Sequence, residues 1–163
     1  MSCARTFRDA VLVIKGGGSG ELLTIPIDMG DLEADTSDPA VVIKNRGAIH
    51  SLAKGEEEAM TVRFSAVFDE WRGETTTGAT VSIADALRKQ GNASAWTSTA
   101  TNSCGPYAVD LELTITNPDS TGEDEVLTFP GFHADRVRFK EGMPSSLEVE
   151  GICPVLQPAS ARA

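Results

Sequence analysis

Apolar and polar residues alternate along two long stretches of this chain. From Ala59 to Trp71, Met60, Val62, Phe64, Ala66 and Phe68 are interleaved with Thr61, Arg63, Ser65 and Asp69. From Tyr107 to Thr116, Tyr107, Val109, Leu111, Leu113 and Ile115 alternate with Asp110, Glu112, Thr114 and Thr116. Successive side chains of a strand point to opposite faces, so each stretch reads as a half-buried β-strand. The pattern selects Val62, Phe64, Phe68, Val109, Leu111 and Leu113 as core.

Shorter segments repeat the theme. Ala10 to Lys15 and Glu21 to Asp28 read as strands joined by the turn Gly16 to Gly20, with Pro26 marking an edge because proline cannot donate to a ladder. Glu125 to Pro130 reads as a strand pairing with the preceding one across the Asn117 to Gly122 turn. Val137 and Phe139 alternate with Arg136 and Arg138, and Leu147 and Val149 with Glu148 and Glu150. One short helix is expected at about 82–90: Ser82 caps it, Ile83, Ala84 and Leu87 form its apolar stripe, and Gly91 stops it. Between 28 and 58 the alternation weakens, leaving Val41 to Lys44 as a short strand candidate and Met29 to Pro39 as a projecting loop. Arg72 to Thr80 reads as a turn and Pro154 to Ala163 as a loose tail.

The resulting expectation is mainly β: a β-sandwich or barrel of two antiparallel sheets with one flanking helix. It forms a single domain over 1–153, with a loop at about 29–39 and a tail at 154–163. A hydrophobic share of 40% supports a core of that size without disulfide or metal support.

Charge narrows the function. With 24 acidic and 14 basic residues the formal charge is −10, which opposes DNA binding through phosphate neutralisation. Cys3, Cys104 and Cys153 are widely spaced and form no C-x-x-C pair, so a disulfide framework or zinc site is not indicated. The start MSCARTFRDA has no apolar h-region, and no signal peptide or membrane association is expected.

Candidate chemistry is sparse. His50 and His133 lack a metal-binding spacing, and Gly16 to Gly20 lacks the Gly-Lys-Ser/Thr of a phosphate loop. Ser51 and Lys54 match S-x-x-K without its companion elements. Asp31, Glu33, Asp35 and Asp38 offer oxygen ligands without the EF-hand order, and a solvated loop is the alternative. No catalytic residue, metal or cofactor is expected. A monomeric binding module would need an exposed aromatic platform, for which Trp71, Trp96 and Tyr107 are the available residues.

An ordered series of segments carries a resemblance: Val42-Ile43-Lys44-Asn45-Arg46-Gly47, Leu52-Ala53-Lys54-Gly55-Glu56-Glu57 and Phe68-Asp69-Glu70-Trp71. Ala86-Leu87-Arg88-Lys89-Gln90-Gly91-Asn92, Tyr107-Ala108-Val109-Asp110-Leu111 and Leu127-Thr128-Phe129-Pro130-Gly131-Phe132 follow. Over roughly residues 40 to 152 this succession resembles the tail tube (major tail) protein of long-tailed bacteriophages and phage-like particles.

The resemblance implies a non-enzymatic virion protein whose subunits close into hexameric rings stacked as a tail tube. Its partners would be further copies and tape-measure, tail-tip and tail-terminator proteins, with double-stranded DNA passing without specific binding. Assembly would occur in the bacterial host cytoplasm. A non-contractile, siphophage-like tail is the first reading; a contractile or type VI-like machine is the alternative. Asp110 and Glu112, then Glu148 and Glu150, are the lumen-lining candidates, with outer solvent as the alternative placement. Asp31, Glu33, Asp35 and Asp38 are the ring-stacking candidates, with Gly16 to Gly20 and the N-terminal arm as the other contact.

Overall fold

The computed structural model describes residues 10–26, 32–67, 72–74, 80–117, 122–142 and 146–162. It is mainly antiparallel β with one short helix. In chain order the strands are β1 (Ala10–Lys15), β2 (Leu22–Pro26), β3 (Glu33–Asp35), β4 (Ala40–Asn45), β5 (Ala48–Lys54), β6 (Met60–Val67), β7 (Arg72–Glu74) and β8 (Thr80–Ser82). Helix α1 (Ile83–Arg88) follows, then β9 (Val109–Ile115), β10 (Glu125–Lys140), β11 (Ser146–Cys153) and β12 (Ala159–Arg162).

Strand β10 organises the fold. Its first half pairs with β9 and β12, and its second half with β11. One sheet therefore runs β2-β1-β9-β10-β12, and the other β10-β11-β6-β3. The strand changes direction at Gly131, whose φ of +66° lies in the left-handed region that glycine tolerates. A register shift between Ala134 and Arg136 adds a bulge, and bulges bend a strand and increase its twist.

Between the layers lie Leu12, Ile14, Leu23, Ile25, Leu111 and Leu113 from one side and Met60, Val62, Phe64, Leu147 and Val149 from the other. The Phe64 and Phe132 rings pack with centroids 6.3 Å apart. Gly151 sits where a side chain has no room, since an added Cβ would stand 2.2 Å from the His133 carbonyl oxygen. Of the expected core, Val62, Phe64, Val109, Leu111 and Leu113 are buried; Phe68 lies outside the described residues.

The helix forms as its end signals dictate. Ser82 Oγ accepts the Asp85 N–H at 3.1 Å, and Lys89 closes the helix in the left-handed conformation at φ 55°. Its buried side is Ile83, Ala86 and Leu87, with Ala86 where the sequence pattern had Ala84. Tyr107 Oη, just before β9, donates to the Ala86 carbonyl at 3.0 Å, and Arg88 donates to the Asp135 carbonyl at 3.2 Å, fastening α1 to the bulge of β10 as well.

Several expectations change. Glu33–Asp35, expected within a loop, is an edge strand on β6. Residues 48–54 form β5, making a hairpin with β4. The expected turn at 72–80 contains β7, which pairs with β8 at Thr80–Ser82. Finally, the expected loose tail folds back as β12 along the first half of β10, because backbone groups there were free to pair.

Candidate assembly surface

The β4–β5 hairpin is a two-stranded sheet of its own. Its turn, Arg46 and Gly47, has φ values of 50° and 83°, the double left-handed geometry that matches strand twist in a two-residue hairpin. Its root is closed by a Gly55 N–H bond to the Pro39 carbonyl at 2.9 Å.

Both faces of this hairpin are apolar. Register pairs Val42 with Leu52 and Lys44 with Ile49 on one face, and Val41 with Ala53 and Ile43 with Ser51 on the other. Ile49 is 73% exposed, Leu52 68% and Val41 55%, with Val42 and Ile43 close behind. An isolated two-stranded hairpin is at best marginal in water, so a blade apolar on both sides is built to be covered.

The outer face of the second sheet carries charge in rows. Arg136 of β10, Glu150 of β11, Arg63 of β6 and Glu33 of β3 are successive partners across four strands. Arg63 Nε stands 3.8 Å from Glu150, and Arg138 Nη1 3.8 Å from Glu148. The rows flank an open groove of about 440 Å³ lined by Arg63, Ser65, Arg136, Arg138, Glu148 and Glu150.

The four lumen candidates lie on two different outer faces. Asp110 and Glu112 point out of the first sheet; Glu148 and Glu150 point out of the second. Asp110 Oδ1 accepts the Gly131 N–H at 2.9 Å, and Glu112 pairs with Lys15 across the β1–β9 ladder. Three of the four therefore pair with a cation, and Asp110, opposite Lys15 in register, holds the bend of β10.

Among the ring-stacking candidates, Glu33 and Asp35 share the outward face of β3 opposite Arg63 and Thr61. Asp38 is exposed at the hairpin root, and Asp31 lies outside the described residues. Among the described residues no group of three His, Cys, Asp or Glu side chains gathers as a metal site.

Gly16 to Gly20 is a turn clamped from inside. The Glu21 carboxylate accepts the Gly18 N–H at 2.8 Å and the Thr97 N–H at 2.9 Å, and Gly17 N–H bonds the Thr97 carbonyl. A Cβ on Gly16 or Gly18 would collide with this carboxylate.

The remaining candidates do not converge. Ser51 shares a face with Ile43, whereas Lys54 shares the opposite face with Ala40 and pairs with Glu57. Hydrogen bonding to Glu57 raises the Lys54 pKa and correspondingly lowers that of Glu57, the reverse of what a lysine base requires. Trp96 is buried and Tyr107 half-buried; Trp71 lies outside the described residues. Burial, with a smaller contribution from the Glu21 charge, pushes the Tyr107 phenol up to about 12. Burial, aided by Asp110, likewise pushes the Cys153 thiol up to about 12.

The architecture defines a class: a phage-like tail tube fold, seen in components of contractile injection systems. A chain of the PVC sheath–tube complex, an extracellular contractile injection system in its extended state, superposes with a TM-score of 0.59 at 8% identity, covering 98% of this chain and 93% of that one. The cap that terminates the tube of the anti-feeding prophage gives 0.60 at 8% identity, over 100% and 94%. The PVC sheath/tube terminator gives 0.60 at 8%, over 99% and 98%. No family model matches the sequence, nor does any curated protein.

Proposed function

We propose that this chain is a structural subunit of a phage-like tail tube, closing into hexameric rings that stack into a conduit. The observation that carries the reading is correspondence of fold over 98% to 100% of the chain with parts of assembled tubes, caps and terminators. Closed rings need heterologous contacts, and edge strands with the two-faced hairpin supply unpaired backbone and uncovered apolar surface for them. The sheath named with two of the three neighbours favours a contractile machine over the bare siphophage-like tail.

For the lumen wall the outer face of the first sheet is the better candidate. Lys15 and Glu112 neutralise each other there and Asp110 adds a fixed negative charge. On the second sheet Arg63 and Arg138 stand against Glu150 and Glu148, and Arg136 lies opposite Glu150, so that face carries no comparable negative excess. Double-stranded DNA would slide along the first face, whose net charge is negative. Tape-measure, tail-tip and terminator proteins are the expected partners, in a virion-type particle assembled in the host cytoplasm.

Negative-stain microscopy of concentrated protein, alone and with tail-tip components as initiator, tests the reading. Rings or tubes with six-fold end views are the expected result. A protein that stays single under both conditions overturns it.

A further inference from the structure

The first sheet ends on β12, whose four residues Ala159, Ser160, Ala161 and Arg162 are all exposed. Its ladder is to Glu125–Thr128 of β10. The chain is anchored shortly before it: the Val155 carbonyl accepts the Met60 N–H at 3.1 Å, and Val155 packs against the core. Beyond that anchor Leu156, Gln157 and Pro158 lead into the strand. Ordering so few residues costs conformational entropy of about the size that their backbone bonds return in water, and exposed side chains add little. β12 is therefore loosely held.

The edge it covers is of a different kind. Register sets Leu127 and Phe129 inward, opposite Leu113 and Leu111, and Val126 outward, opposite Thr114. Without β12 this segment would offer bare backbone flanked by apolar side chains on both faces, a template for pairing with another chain. The other edges are guarded by their own residues. β2 carries Pro26, β3 carries Glu33 and Asp35, and the second half of β10, whose described pairing is with β11, carries Arg136, Arg138 and Lys140. Edges of that sort select a partner by charge or refuse one; the Val126–Phe129 edge would do neither.

We infer that β12 is an autoinhibitory strap: it covers the Glu125–Thr128 edge in the free subunit, and where it lifts, two copies pair through that edge. The occupant is the same segment of a second copy, since Val126 to Phe129 running antiparallel to itself brings apolar side chains together on both faces. Each copy exposes one such edge, so the pairing closes as a two-fold dimer and ends there. The strap is itself a poor template, being short, preceded by Pro158 and ended by Arg162. It acts in the free subunit, whether or not that subunit goes on to build tubes.

Ser160→Pro with Ala161→Pro in the full-length chain tests this. Neighbouring residues of a strand donate to opposite sides, so the pair removes a donor facing β10 whichever residue supplies it. Sedimentation velocity should show dimers at a concentration about tenfold or more below any at which wild type associates. Adding Val126→Lys sets a charge on each of the two edges and should return the protein to single particles.

A folded proline variant that stays single overturns the inference. So does a dimer indifferent to Val126→Lys, or growth of six-fold rings, which would place β12 at the ring contact instead. Hydrogen exchange of the wild-type chain decides the matter if the proline variant fails to fold. Those amides among Val126, Leu127 and Thr128 that bond β12 should exchange by local opening, about a hundredfold faster than the amides of Leu111 and Leu113. Exchange at the rate of β9 would make β12 an integral strand and remove the strap.

Discussion

The Asp110 carboxylate accepts the Gly131 backbone N–H at 2.9 Å, tying the outer face of β9 to the point where β10 leaves one sheet for the other. A residue that reads in sequence as a solvent-facing acid is therefore part of the joint of the sandwich. Beside it Glu112 is held by Lys15, so neither carboxylate is free to be replaced without a structural effect.

Asp110→Ala leaves the Gly131 amide without its partner and should destabilise the fold by about 1–3 kcal/mol, whereas Asp110→Asn, which keeps an acceptor, should lose less. Gly131→Ala should lose about 1–2 kcal/mol from its left-handed φ alone. The added Cβ would also press to 3.2 Å on Pro154. Urea unfolding of the three variants checks this order; equal loss for alanine and asparagine at position 110 would remove the hydrogen bond from the account. Lysine at both 110 and 112 should destabilise as well as reverse charge, through loss of the Gly131 bond and repulsion from Lys15.

Phe64→Ala removes a buried ring that meets Phe132 at the centre of the core. Loss of burial and the resulting cavity should lower stability by about 3–5 kcal/mol. Guanidinium denaturation with an unchanged slope is the measurement, and a loss below about 1 kcal/mol would contradict the packing described.

Leu52→Ser and Ile49→Ser lie on the exposed blade, outside the buried core. Their stability should stay within about 0.5 kcal/mol of wild type. Assembly should nevertheless weaken in both, as seen by sedimentation. Unchanged assembly would mean that this face of the hairpin is not buried between copies.

Alkaline pH should unfold the protein earlier than its exposed groups predict. The Cys153 thiol is raised from 9.0 to about 12, and the Tyr107 phenol from 10.0 to about 12. Both are neutral when protonated, so the native state keeps its protons while the unfolded state releases them. Their contribution is fully present below pH 9 and is lost between about 9 and 12. Thermal melts at successive pH values should fall across that window, and Cys153→Ala should flatten the fall. A flat wild-type profile from 9 to 12 would refute the burial of these two groups.

Legibility followed the strength of the local signal. Strands β6 and β9 could be read directly, because Val62-x-Phe64 and Val109-x-Leu111-x-Leu113 each bury one face. Strand β10 read as two pieces, since Pro130-Gly131 looks like a break; the left-handed Gly131 instead bends one continuous strand. Strand β5 is not legible in the sequence because its apolar residues occupy both faces and the register shift at His50 interrupts the period of two. Strand β12, Ala-Ser-Ala-Arg, has no side-chain pattern at all and exists through its backbone pairing with Glu125 to Thr128.

By itself the sequence determined which side chains enter the core, the helix with its Ser82 cap, and a mainly β architecture. Those features follow from local backbone geometry, which acts over a few residues. Only tertiary structure decided what the acidic residues do. Lys15 and Glu112 are 97 positions apart, and their pairing depends on two strands meeting in one register. The same holds for the projecting hairpin: its residues are ordinary core material in composition, and they stand in solvent because the two sheets close without them.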